Sequence, residues 1–222
     1  QGLPVTFAID RAGIVGPDGP THGGNLDLGF LRAVPDLVLM TPAHAEDLKR
    51  MLATGLAHSG PAALRYPKGT APDTVPAGPL EPLPLGRAQM VREGAGAEAI
   101  LVFGPFLEAA CEAAEAADAT VVNMRFVKPL DTGMLAHLAA RHERLVTVEE
   151  SNLPGGAGEA VRSHVAEAGL AVAVTCLGLP DAFVPQGERK DLLADYGLDA
   201  GGIASHLTPA GNASVAPKAS RQ

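Results

Sequence analysis

Along most of the 222 residues, short β-prone apolar runs alternate with stretches of helical spacing. That alternation restricts the chain to open α/β sheets with mostly parallel strands. Val5 to Ile9 is long enough for one buried strand, and Leu37 to Met40 for a second. Thr41-Pro-Ala-His-Ala-Glu46 predicts a helix start with Pro42 just inside it, and Leu48, Met51, Leu52 and Leu56 follow at helical spacing. Gly60-Pro61 ends that helix, and Ala62 to Tyr66 is a third strand. Further on, strands are predicted at Ala99 to Phe103, Thr120 to Met124, Leu145 to Glu149 and Val172 to Leu177. Helices are predicted at Phe106 to Ala117, Met134 to Arg141, Gly158 to Ala168, Lys190 to Tyr196 and Ala200 to Leu207, the last capped by Asp199.

Between the two series lies a proline-rich stretch from Thr70 to Gly86 with almost no periodic pattern, which is how a linker or extended crossing segment reads. The expected organisation is therefore residues 1–69 as part of one α/β domain, 70–97 as linker, 98–207 as a second α/β domain, and 208–222 as a disordered tail rich in Ala, Ser, Pro and Asn. The chain starts in what already looks like a strand, without an initiating Met, and is expected to be a fragment. A net charge of -8 without a concentrated Lys/Arg run gives little field for a nucleic-acid backbone. No apolar run approaches the ~20 residues of a membrane helix, and Cys111 and Cys176 read as small core residues of a reducing compartment, so a cytoplasmic location is expected.

The chemistry is expected in Asp10-Arg-Ala-Gly-Ile-Val-Gly-Pro-Asp-Gly-Pro-Thr-His22, the loop leaving the first strand, because ligands of open α/β sheets sit outside the carboxyl ends of the strands. Arg11, Asp18 and His22 fall in it. If Asp18 and His22 converge across its turns, the carboxylate would orient the imidazole as an acid or base near neutrality. The same residues would equally serve as an Asx turn and a solvated loop histidine. Arg65 and Lys68, at the end of the third strand, are expected at the same sheet edge as Arg11. Three neighbouring cations call for an anion, most commonly phosphate, unless each forms an ordinary surface ion pair. Gly155-Gly-Ala-Gly158 lacks the dinucleotide spacing and reads as a tight turn feeding a helix. Glu149 and Glu150 read as turn or interface residues, and the histidines show no zinc spacing.

The runs DRAGIVGPDGPTHGG, Leu26 to Leu31, GPAALRYPKG (60–69), NMRFVKPLD (123–131), LVTVEES (145–151), GGAGEAV (155–161) and LGLPDAFVPQGE (177–188), in this order, resemble the C-terminal portion of the 1-deoxy-D-xylulose-5-phosphate synthases, in the transketolase-like thiamine-diphosphate superfamily. The resemblance implies an incomplete pyrimidine-binding domain followed by a transketolase C-terminal domain. It also implies a transferase that condenses pyruvate with D-glyceraldehyde 3-phosphate, releasing CO₂, for isoprenoid (non-mevalonate), thiamine and pyridoxal synthesis. The implied cofactors are thiamine diphosphate and Mg²⁺. Arg11 and Lys68 would hold the aldehyde's phosphate, and Asp18 and His22 would line the acceptor site.

The family's GDG metal motif and the glutamate that activates the cofactor are not among these residues, so the N-terminal part of the same enzyme is the expected partner, in a homodimer, and this chain alone is expected to be inactive. Lys68 stands where the family usually has arginine, which keeps the charge and loses the bidentate fork. Leu26 and Phe30 stand for the family's Phe and Tyr, and Asn25 for a small apolar residue. Those departures keep open a transketolase-like enzyme with another acceptor. A non-catalytic assembly subunit is the alternative from a different class.

Overall fold

In the computed structural model, residues 1–70 and 81–210 are described. They form two sheets. The first takes β1 (Thr6–Ile9), β2 (Val38–Met40), β3 (Ala62–Arg65) and β7 (Phe126–Lys128) in the order β1-β3-β2-β7. The second takes β4 (Gln89–Arg92), β5 (Glu98–Phe103), β6 (Thr120–Asn123), β8 (Arg144–Asn152) and β9 (Ala173–Leu179) in the order β4-β6-β5-β8-β9. The strands of each sheet run parallel except β7 on β2 and β4 on β6. The helices are α1 (Asp27–Arg32), α2 (Ala45–Ala57), α3 (Leu107–Ala114), α4 (Thr132–Ala139), α5 (Ala157–Glu167), α6 (Arg189–Asp195) and α7 (Ala200–Ser205).

Both antiparallel strands depart from the sequence expectation. β4 lies in the stretch read as linker, yet pairs with β6. β7, from the second half of the chain, completes the first sheet by pairing with β2. Ahead of β4, Leu83 is buried in the cluster under α2, where its N–H donates to Thr54 Oγ1 at 2.7 Å. Residues 71–80 of the expected linker lie outside the described residues, as do 211–222 of the expected tail. Its first residues are anchored: Thr208 N donates to Glu98 Oε1 and Ala210 N to the Ala116 carbonyl.

Every residue of β5 is buried, as a central parallel strand covered on both faces requires. Alternation sends Ile100 and Val102 to one core, under α3, α6 and α7, and Ala99, Leu101 and Phe103 to the other. That second core also contains Leu28, Leu39 and Ala63 from the first half of the chain, so the two sheets share apolar packing. α1 is short and was not foreseen, because the glycine-rich loop before it masks its start; Asp27 and Leu28 are its buried residues.

α2 differs in two ways from the sequence reading. Pro42 is outside it, and His44 is the N-cap, its Nδ1 accepting from Asp47 N at 3.2 Å. Of the apolar residues at helical spacing, Met51 is fully buried, whereas Leu52 is 42% and Leu56 72% exposed. A stripe of helical period therefore marked the helix without marking which part of it faces the core. Truncating Met51 to Ala should cost about 2–5 kcal/mol, the range for core truncation, while Leu56→Ala should change stability by less than about 0.5 kcal/mol; chemical denaturation of the two variants checks this.

Candidate anion-binding site

The loop between β1 and α1 is closed at its base by backbone hydrogen bonds. Gly13 N donates to the Gly24 carbonyl at 2.9 Å, Gly24 N returns one to the Gly13 carbonyl at 3.0 Å, and Ala12 N donates to Tyr66 just past β3. The two strands of the loop come so close that a Cβ on Gly24 would lie 2.3 Å from the Arg11 carbonyl oxygen. Arg11 itself takes a left-handed backbone, φ 56°, which a non-glycine residue adopts only where surrounding structure imposes it.

Underneath, the loop rests on β8. Ile14 N donates to Glu150 Oε1 at 2.7 Å; Gly13 has a positive φ, and a Cβ there would also meet the Glu150 side chain. Asn25 and Asn152 bond through their side-chain amides, and Asn152 N donates to the Asn25 carbonyl at 2.8 Å. Arg65 joins these parts: its Nε donates to Asp27 Oδ2 at 2.8 Å, and its Nη2 to the carbonyls of Gly24 and Glu150, each at 3.0 Å.

This placement corrects the expectation for Arg65. Alternation along β3 directs its side chain to the same side as Ala63, toward the second sheet, and only 4% of it is exposed. It is a buried strut with no role at the rim. The outer residues do gather. Lys68 Nζ lies 2.6 Å from Asp18 Oδ2, both side chains being partly exposed. That hydrogen bond holds the Asp18 carboxyl below its usual range against a smaller effect of burial, and the charges of Lys68, His22 and Arg11 add in the same direction. All three basic side chains thus lie within electrostatic reach of one carboxylate.

The expected Asp18–His22 couple is replaced by the Asp18–Lys68 pair. His22 Nδ1 instead lies 3.0 Å from Thr21 Oγ1, and Arg11 pairs with its neighbour Asp10 at 2.7 Å. Lys68 also lines a cavity of about 400 Å³ between the start of α2 and the start of α6, with Tyr66, His44, Pro105 and Arg189 among its walls. Arg189 had no sequence signal: it is one basic residue in a charged helix start far along the chain from Lys68.

Two family models match: "Transketolase, pyrimidine binding domain" over residues 1–74 and "Transketolase, C-terminal domain" over residues 86–203. The chain belongs to the transketolase C-terminal domain family. Among curated proteins it is similar to 1-deoxy-D-xylulose-5-phosphate synthases: 53% identical over 203 residues to that of Thioalkalivibrio sulfidiphilus, covering 91% of this chain and 32% of the relative. The synthase of Methylococcus capsulatus is 49% identical over 207 residues, with 93% and 32% covered. The chain thus spans about a third of the length of these relatives. Among solved structures, one titled "Split gene transketolase, inactive beta4 tetramer" superposes with a TM-score of 0.74 at 28% identity, over 92% of this chain and 65% of that one. Transketolase from Campylobacter jejuni has the same fold, with a TM-score of 0.65 at 19% identity, over 90% of this chain and 30% of that one.

Within this transketolase-type fold, Gly155 to Gly158 forms the expected turn into α5. Glu149, read from sequence as a turn or interface residue, is instead buried in β8 and caps that helix, accepting from Ala157 N and Gly158 N at 2.7 Å each. Burial raises its carboxyl to about 7 although both backbone donors favour the ionised form. Because the folded value lies above the unfolded one of about 4.3, the unfolded chain loses this proton first. The contribution of Glu149 to stability therefore falls as pH rises from about 4.3 to 7. The melting temperature of Glu149→Gln should vary less than that of the wild type between pH 5 and pH 7.5; a parallel dependence of both proteins would contradict the assignment.

Proposed function

We propose that this chain is the C-terminal part of a 1-deoxy-D-xylulose-5-phosphate synthase, and that its loop from Asp10 to Gly24 receives the phosphorylated aldehyde. The observation that carries the reading is the Lys68–Asp18 ion pair, with His22 and Arg11 in its field at the carboxyl ends of β1 and β3. The identity of about half to synthases of that name supports it. Lys68 and Arg11 hold the phosphate of D-glyceraldehyde 3-phosphate, each exchanging an exposed carboxylate for the anion. Such exposed pairs add little net stability and give way readily to a doubly charged ligand. Asp18 holds Lys68 in place until the anion takes over, and His22 carries the proton required at the aldehyde oxygen as the new carbon–carbon bond forms.

Thiamine diphosphate, when bound, supplies the nucleophilic carbon that passes the two-carbon unit of pyruvate to this aldehyde. Its Mg²⁺ does not fit the residues present: among the described residues no three His, Cys, Asp or Glu side chains are grouped as metal ligands. The diphosphate and metal are held by the N-terminal part of the same enzyme, so this chain alone is expected to be inactive. We further propose a cytoplasmic homodimer without nucleic-acid or membrane partners; a charge of -8 without a basic run gives little field for a nucleic-acid backbone.

In the whole enzyme, Arg11→Ala and Lys68→Ala should each raise KM for D-glyceraldehyde 3-phosphate about tenfold, the loss of a charge-assisted bond, with KM for pyruvate unchanged. Equal effects on both substrates would contradict the phosphate assignment. His22→Ala should lower kcat by about 10²-fold or more, as loss of a general acid does, while calorimetry finds unchanged affinity for thiamine diphosphate.

A further inference from the structure

Arg189 lines the same cavity as Lys68, and none of the residues lining that cavity is a carboxylate. The guanidinium is only partly satisfied. Its Nη2 lies 2.5 Å from Glu150 Oε2, while the buried Nε has no acceptor, and no hydrogen bond is formed by Nη1 among the described residues. Buried donors without acceptors are costly, and a planar guanidinium offers paired donors in the geometry of a phosphate's oxygens. The backbone around it is set: Gly187 N donates to the Gly16 carbonyl at 3.4 Å, and a Cβ on Gly16 would meet Arg189 N at 3.4 Å. The start of α6 thus lies against the loop that carries Asp18, and Glu150 holds the guanidinium itself. A cavity of about 400 Å³ is within the usual range for a small-molecule site.

From this geometry we infer that Arg189 is a substrate-binding residue for the phosphate of the acceptor, supplying across the domain boundary the guanidinium fork that Lys68 lacks. The inference rests on the proposed function above and adds to it a residue that determines specificity. Lys68 provides a point charge from the end of β3, and Arg189 provides directed donors from the start of α6. Glu150, fully buried and also bonded to Ile14 N, keeps the fork in register with the loop.

The test compares D-glyceraldehyde 3-phosphate with unphosphorylated D-glyceraldehyde as acceptor in the whole enzyme, using Arg189→Gln, Arg189→Lys and Lys68→Ala. Arg189→Gln should raise KM for the phosphorylated aldehyde by about tenfold or more, as for loss of a hydrogen bond to a charged group. It should leave kcat/KM for the unphosphorylated aldehyde and KM for pyruvate within about twofold, and Arg189→Lys, keeping charge without the fork, should fall between. If Lys68→Ala discriminates the two aldehydes and Arg189→Gln affects both equally, Arg189 is a structural partner of Glu150 and the inference is overturned while the proposed function stands. If neither variant discriminates, the phosphate clamp itself fails, and this inference with it. Should Arg189→Gln not fold because Glu150 is left uncompensated, E150Q/R189Q compared with E150Q alone gives the same readout with the same two outcomes.

Discussion

One buried guanidinium, that of Arg65, holds four separate pieces of the chain in register. It reaches from β3 to Asp27 at the start of α1, to Gly24 at the foot of the loop and to Glu150 in β8 of the other sheet. Taking a charge this far from water is unfavourable unless its donors are answered, and here a carboxylate and two carbonyls answer them. Such a pair adds little against an apolar replacement, but removing one partner leaves a buried charge and costs about 3–5 kcal/mol. The geometry is therefore specified more strongly than its net stability suggests: the loop foot, α1 and the second sheet move together or not at all.

The division between foot and tip follows. Ala12, Gly13, Ile14 and Asn25 are buried and bonded to Tyr66, Gly24, Glu150 and Asn152, so the loop is fixed where it leaves and rejoins the sheet. Arg11, Asp18 and His22 stand on that foot, exposed, and pair with Asp10, Lys68 and Thr21 respectively. A fixed base carrying charged tips whose pairs are easily exchanged suits a site that must take up and release a small anion. The second domain contributes directly, through Glu150 below the loop and the segment from Val184 to Arg189 beside it.

Most of the fold was legible because parallel strands read as apolar runs: β2, β3, β5, β6 and β8 are buried where such runs occur, whereas β1, also an apolar run and expected to be buried, lies at the sheet edge with Phe7 51% exposed. β4 and β7 were not legible, since an edge strand such as β4 is only half buried and both follow sequence neighbours that mask them; pairing across distant segments leaves no local trace. Of the expected site, Lys68 meets Asp18 at the loop tip, while Arg11 and His22 contact their own chain neighbours. Arg65 was assigned to the rim because it is near Lys68 in sequence, but strand alternation sends it inward. The Asp18–His22 couple failed because Lys68, fifty positions away, is the stronger and closer partner for the carboxylate. Two consecutive glutamates at the end of the apolar run of β8 were a usable signal of buried function, and Arg189 had none.

The most direct measurement is a crystal structure of the whole enzyme with D-glyceraldehyde 3-phosphate bound. The account predicts the phosphate against Lys68 Nζ, the Asp18 carboxylate released from that ammonium, and the loop foot at Gly13 and Gly24 unmoved on Arg65 and Glu150. Phosphate bound elsewhere, with the Lys68–Asp18 pair intact, would contradict it.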